Sequence, residues 1–439
     1  MPRISPRSVL CREAESGHPA RSLTPVAAQS RLRRRPTSHP RPGHRLINVF
    51  LARIRSLGTY ALRIGARPFL PLRIIVLAAA LWVPLSGAGA ERGVPASLKD
   101  AAAGLFPIGV AVKNGVATRP ADWPLLTAQF NSVSAENCLK PDPVQREEGR
   151  FNFAEADALV DFATARGFQL VGHCLVWAKD DRTPPWFFRD GDETVSRERL
   201  LQRMKTHIET VVGRYRGRVA EWDVVNEALD DGPALLRPSG WSAACGDEFI
   251  AKAFEYAHAA DPQAVLIYND YNTELPGKRA KLIELVRSLR QKNVPIHAVG
   301  LQGHFEIDRV PLPEVEATIV AMRELGVKVV ISELDIDVIP RGRWWADGGK
   351  YRSELSTLDP YRDACPPDIL QRQAEQYAQL FGLFRKHADT IGRVTFWNLH
   401  DGQSWLNEFP WKRVNYPLLF DRAGQPKPAY HAVIRALKT

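Results

Sequence analysis

The chain has 439 residues, 45% hydrophobic and 25% charged, a globular composition with ample apolar material for a large core. Its net charge of +10 is uneven: residues 1–90 hold fifteen Arg, no Lys and two acids (Glu13, Glu15), so they carry +13 and residues 91–439 carry −3. A near-neutral body excludes nucleic acid as a partner, which would need a basic stripe on the folded part itself.

Residues 1–67 are rich in Arg, Pro and Ser, with Arg31 to Arg35 as the densest run, and show little periodicity. They read as a disordered or mis-annotated extension. Residues 68–90 read as a signal peptide: Arg73 precedes an apolar run from Ile74 to Leu85, and Ala88-Gly89-Ala90 supplies the small residues of a cleavage site. This predicts a secreted or periplasmic protein, a monomer with no stable membrane association after cleavage. The alternative is a retained N-terminal anchor, although the run is short for a span. Met1 is also far from the run, and no other Met occurs before Met204, so a start further in needs a non-Met codon.

From residue 98 to residue 437 the chain reads as one catalytic domain. Strand-like runs occur at 108–112, 132–136, 169–176, 220–225, 264–268, 298–301, 328–332 and 394–397. Helical periodicity fills most intervals, at 155–165, 197–215, 247–259, 278–291, 313–325 and 369–387. Eight strands alternating with helices predict an α/β fold, a single-domain (β/α)8 TIM barrel. A doubly wound open sheet is the runner-up, and no Gly-rich phosphate turn supports it. Long irregular stretches follow strand four (230–244) and strand seven (338–367). In a barrel they belong to the C-terminal face, where active sites form.

The strand ends carry the chemistry. Strand two ends in Glu136, Asn137 and Lys140; strand three carries His173 and Trp177; strand four ends in Asn226-Glu227. Strand five ends in Asn269-Asp270-Tyr271-Asn272, strand six in Gln302-Gly303-His304, strand seven in Glu333-Leu334-Asp335, and strand eight in Trp397, with Trp405 beyond. A single charged strand end is commonly a solvated turn. Seven on one rim cost desolvation and like-charge repulsion and need another explanation.

A carboxylate on strand four and another on strand seven fit glycoside hydrolysis. One, Glu227, must be protonated to serve the leaving oxygen, and the other, Glu333, must stay ionised to attack the anomeric carbon. Asn226 suits a sugar 2-hydroxyl. His304 is placed to hold Glu333, and Asp335, on the same strand face, to orient His304 from its other nitrogen. Trp177, Trp397 and Trp405 offer platforms for sugar faces. Glu136, Asn137, Lys140, His173 and Gln302 offer partners for hydroxyls.

These segments resemble glycoside hydrolase family 10, the endo-β-1,4-xylanases, over most of residues 98–437. Trp222-Asp-Val-Val-Asn226-Glu227-Ala228 looks like the family's acid/base segment and Val330-Ile-Ser-Glu333-Leu-Asp335 like its nucleophile segment. Glu136-Asn137-x-x-Lys140 and His173-x-x-x-Trp177 look like its glycone-binding segments, and Gln302-Gly-His304, Trp397-Asn-Leu-His-Asp401-x-x-Ser-Trp405 and Pro417-Leu-Leu-Phe-Asp421 complete the set. The resemblance implies a retaining endo-acting hydrolase of xylan and xylo-oligosaccharides, with catalytic Glu227 and Glu333, no cofactor and no metal. Two departures concern subsite preference: Ala178 stands where the family commonly has His, followed by Lys179-Asp-Asp-Arg182, and the loop 341–367 is long.

Competing readings are simpler. The two glutamates as structural ion-pair partners of nearby Arg or Lys would leave Asn226 and His304 unexplained. Trp222 and Asp223 read as packing and support, Trp186 as a loop anchor, and Trp344 and Trp345 as either platforms or staples. Cys138, Cys174, Cys245 and Cys365 allow three disulfide pairings in an exported protein, or stay free and buried. Rival functions are a barrel hydrolase of β-1,4-glucan or mannan, and a non-catalytic polysaccharide-binding protein.

Overall fold

The computed structural model describes residues 97–339 and 359–438. The basic head, the signal-like segment and residues 340–358, with Trp344, Trp345 and Tyr351, lie outside the described residues.

Eight parallel strands form the centre: β1 (Ile108–Val112), β2 (Ser132–Ala135), β3 (Gln169–Trp177), β4 (Glu221–Asn226), β5 (Val265–Asp270), β6 (Ala298–Leu301), β7 (Lys328–Asp337) and β8 (Ile391–Phe396). They pair in chain order, and β8 pairs with both β7 and β1, so the sheet closes. A barrel helix follows each strand: α1 (Trp123–Gln129), α2 (Ala154–Ala165), α3 (Arg197–Arg214), α4 (Glu248–Ala260), α5 (Pro276–Gln291), α6 (Leu312–Glu324), α7 (Pro367–Lys386) and α8 (Pro428–Lys438), with short extra helices at Pro141–Val144 and Gly240–Cys245. The (β/α)8 barrel expected from the alternating pattern is therefore the fold, and the open sheet is excluded by closure.

Strands β1 and β6 read as unbroken apolar runs because both faces are covered. Every residue of β1, β2, β4 and β6 is buried. Barrel packing sets residue sizes inside. Trp222 fills the space above Gly172, where an added Cβ would meet the indole ring at 2.2 Å. Its expected role as packing holds. Trp186 stacks on Phe187 at 3.9 Å and donates from Nε1 to the Gln145 carbonyl at 3.1 Å, an anchor for its loop.

Helix ends follow local chemistry. Ser196 caps α3, its hydroxyl accepting from the Arg199 N–H at 3.2 Å. α5 and α7 start two residues earlier than their apolar periodicity indicates, each on a proline, which suits a first turn that has no N–H to satisfy. The chain uses α1 and α8 as well, which the sequence pattern left unmarked: α1 is short and carries Pro124 in its first turn.

The barrel's C-terminal ends are irregular. Register shifts interrupt β3–β4 between His173 and Val176, β4–β5 between Asp223 and Val225, and β7–β8 between Ile331 and Leu334. Such breaks re-aim side chains at a barrel rim. A short strand, His304–Glu306, runs beside the end of β7, with His304 opposite Asp335.

No disulfide forms among the described residues. Cys138, Cys174, Cys245 and Cys365 are free and buried, so the disulfide alternative is corrected. Burial pushes the Cys138 thiol up to about 12.

Candidate active site

Glu227 sits one residue beyond β4 with φ 57°, a left-handed backbone that costs a non-glycine residue about 1–3 kcal/mol and persists where its surroundings enforce it. The enforcement is visible. The Glu227 N–H donates to the Asn269 carbonyl at 2.8 Å, and the Ala228 and Leu229 N–H groups donate to the Tyr268 hydroxyl at 3.1 and 3.0 Å. The turn aims the carboxyl into the barrel mouth.

Its oxygens are fully engaged. Trp177 Nε1 donates to Oε2 at 3.1 Å and Gln302 Nε2 to Oε1 at 3.1 Å. Lys179 Nζ lies 3.2 Å and Arg237 Nη1 3.6 Å from Oε2. Burial alone would raise the carboxyl pKa, but Lys179 and Arg237, helped by the two hydrogen bonds, outweigh it and lower it to about 2. The proton expected on this residue is therefore absent from the resting site. The responsible cations come from loops after β3 and β4, outside the motif that marks Glu227.

Glu333 lies within β7 and is buried. Asn269 Nδ2 donates to its Oε1 at 2.7 Å, and His304 Nε2 is 3.2 Å from its Oε2. His304 Nδ1 is 3.0 Å from Asp335 Oδ2, and Trp405 Nε1 donates to the same oxygen at 2.8 Å. Burial works against a charged imidazole, yet Asp335 and Glu333 outweigh it and raise His304 to about 9. Burial also opposes ionisation of Glu333, and the His304 hydrogen bond, with the His173 ring adding to it, overcomes it and holds Glu333 below the ordinary carboxylate range. Asp335 thus contacts the His304 ring nitrogen opposite the one that faces Glu333.

The other expected residues surround the pair. Glu136 accepts from Asn398 Nδ2 at 2.6 Å, Lys140 Nζ donates to Asn137 Oδ1 at 3.0 Å, and Lys140 Nζ stands 4.9 Å from the Trp177 ring centroid. His173 Nδ1 is 2.8 Å from Asp223 Oδ2, and its ring meets Trp397 edge-on at 5.2 Å. Asn226 Oδ1 accepts from Asn269 at 2.9 Å and Gln302 at 3.4 Å. Trp405 packs between His304, at 4.9 Å, and Phe409, at 4.8 Å. Glu136, Asn137, Lys140, His173, Trp177, Asn226, Gln302, His304, Trp397 and Trp405 thus line one cleft of about 500 Å³ with Glu227 and Glu333, and Asp335 lies behind them.

Other residues enter that the motifs left without roles. Asn269 bridges Asn226 and Glu333, and its Oδ1 accepts from Ser332 Oγ at 2.5 Å. Its position requires Gly300, where a Cβ would come 2.1 Å from Asn269 Oδ1. Asn398 joins Glu136 to the Trp405 N–H, which donates to its Oδ1 at 2.9 Å. Arg237, from an irregular loop, carried no sequence signal. His400 turns away to accept from the Gly402 N–H at 3.1 Å.

A closed parallel barrel whose C-terminal mouth holds two buried carboxylates between indole faces and hydroxyl-binding side chains is the architecture of a glycoside hydrolase. This chain belongs to glycosyl hydrolase family 10, whose family model matches residues 97–436. It is 44% identical to an endo-1,4-beta-xylanase of Geobacillus stearothermophilus over 343 residues, 77% of this chain and 98% of the relative. It is 39% identical to endo-1,4-beta-xylanase B of Paenibacillus barcinonensis, over 77% of this chain and 97% of that one. Among solved structures, it superposes on a GH10 endoxylanase from a sugarcane soil metagenome with TM-score 0.73 and 40% identity, covering 78% of this chain and 100% of the other.

Proposed function

We propose that the protein is an endo-1,4-β-xylanase that cleaves internal β-1,4 bonds of xylan by double displacement with retention. Glu333 attacks C1 while Glu227 gives its proton to the leaving oxygen, forming a covalent glycosyl-enzyme. Glu227 then takes a proton from water, which attacks C1 and releases Glu333. The observation that carries this reading is the hydrogen bonding of Glu333, whose Oε1 accepts from Asn269 at 2.7 Å and whose Oε2 lies 3.2 Å from the His304 ring that Asp335 holds from the other side, an arrangement that favours the ionised carboxylate. Its lone pairs stay available because the donors flank the carboxylate within a buried site.

Xylan is favoured over glucan or mannan by the packed indoles. Trp405 is wedged against His304 and Phe409, and Trp397 is 6% exposed, leaving little space for the hydroxymethyl group a hexose carries. The names of the relatives support the same substrate. A non-catalytic binding role would not need the donors that converge on Glu333. The test is reducing-sugar release from xylan and from carboxymethylcellulose, with proton NMR of the first product. Preferential xylan cleavage with β-anomers forming first is expected. Equal release from both polymers, or α-anomers first, would contradict the assignment.

A further inference from the structure

Lys179 has one ion-pair partner among the described residues, and that partner is Glu227. The charged groups facing Glu227 come from four sides. Lys179 follows β3 and Arg237 follows β4; Lys278, from α5, pairs with Asp231 at 3.0 Å and Asp270 at 2.9 Å; and Glu333 faces it from β7. Tyr271 sits among them, donating from its hydroxyl to Asp231 Oδ2 at 2.5 Å and accepting from Arg237 Nη2 at 2.5 Å.

The reaction begins with Glu227 protonated. Lys278 keeps its two aspartates, while Lys179 and Arg237 both lose Glu227 as counter-charge; Arg237 keeps a hydrogen bond to the Tyr271 hydroxyl, and Lys179 keeps no hydrogen bond among the described residues. Its remaining neighbour is the face of Tyr271, 5.9 Å from Nζ to the ring centroid. The nearby acids are occupied: Asp180 Oδ1 accepts from the Gly240 N–H at 2.8 Å, and Asp181 lies 3.5 Å from Arg182. The Lys179 side chain is 36% exposed and opens to the cleft. A substrate anion can reach it.

We infer that Lys179 is a specificity-determining residue that receives the carboxylate of a uronic acid substituent on the leaving-group portion of the xylan chain. Glu227 serves the leaving oxygen, so the cation beside it belongs to that side. An acidic substituent does two things: it gains a charge-assisted contact, and it draws Lys179 off Glu227, freeing the carboxyl to hold its proton. A neutral chain leaves Lys179 competing with that proton. Arg237, buried behind Tyr271, supports the positive potential without moving.

This inference rests on the xylanase reading, and three substrates separate the two. They are linear xylohexaose, a xylo-oligosaccharide bearing one glucuronic acid, and the same oligosaccharide with its uronic carboxyl reduced to the alcohol. Wild type is expected to show kcat/KM roughly tenfold higher on the acidic compound than on its reduced counterpart at low salt, about the size of one charge-assisted hydrogen bond, with the advantage shrinking as salt is added. Lys179→Met is expected to erase that ratio, and Lys179→Arg to retain most of it. An acidic-to-reduced ratio near one in wild type, or an unchanged ratio in Lys179→Met, would overturn the inference while leaving hydrolysis of xylohexaose intact. Failure to cleave all three substrates would instead overturn the xylanase reading, and this inference with it.

Discussion

His304 Nε2 lies 3.2 Å from Oε2 of Glu333, and its other nitrogen lies 3.0 Å from Asp335. The imidazole is therefore held charged between two carboxylates, raised from 6.5 to about 9. Replacing it with alanine removes the hydrogen bond that keeps Glu333 ionised. The acid limb of the kcat/KM profile should move to higher pH, and kcat should fall about 10- to 100-fold. Stability has the sign of a raised histidine: the contribution is complete below about 6.5, the unfolded value, and disappears as pH rises through about 9. Thermal melts of wild type and His304→Ala should converge above that pH and separate below it.

Gly300 controls the other partner of Glu333. Gly300→Ala places a Cβ 2.1 Å from Asn269 Oδ1, so Asn269 has to leave both Asn226 and Glu333. We expect activity to drop by at least tenfold, with a stability loss of about 1–3 kcal/mol from overpacking. A denaturant melt beside the kinetics checks that the activity loss exceeds what unfolding explains.

Lys179→Met removes the nearer cation from Glu227. Burial then acts with less opposition, so the Glu227 pKa rises from about 2. The alkaline limb of kcat/KM on neutral xylo-oligosaccharide should shift to higher pH, because this profile reports the free enzyme. An unmoved alkaline limb would show that Lys179 does not govern the proton on Glu227.

The four buried thiols give a simple chemical prediction. Cys138, Cys174, Cys245 and Cys365 should resist alkylation in the native protein and react in denaturant without any reductant. Peptide mapping by mass spectrometry reads each position separately.

The sequence made the barrel legible because eight strand-like runs recur with helical periodicity in most of the intervals between them, and because strands such as β1 and β6, buried on both faces, leave continuous apolar runs. The site residues were legible for a related reason: each sits at or near a strand end, where a buried polar group needs a purpose. What escaped lies off that pattern. Arg237 sits on an irregular loop, and only tertiary folding brings it 3.6 Å from Glu227. Asn269 stands in a marked strand end, yet its bridge between strands four and seven depends on the missing side chain of Gly300, its register partner on the next strand, which only the folded sheet reveals. The ionised state of Glu227 was hidden because Lys179 and Arg237 are long side chains reaching in from separate loops. Chain composition at the cysteines left pairing open, and the fold, in which all four are free and buried, resolved it.

The central claim is the division of labour between Glu333 and Glu227, and one kinetic comparison tests it directly. Glu333→Ala and Glu227→Ala are assayed on xylo-oligosaccharides and on an aryl xylobioside whose phenol leaves without protonation. Loss of the nucleophile should cost Glu333→Ala several orders of magnitude on both substrates. Glu227→Ala should be similarly impaired on the oligosaccharide and far less so in the first, glycosyl-enzyme-forming step on the aryl glycoside. Near-wild-type turnover in Glu333→Ala, or equal losses on the two substrates in that step for Glu227→Ala, would contradict the assignment.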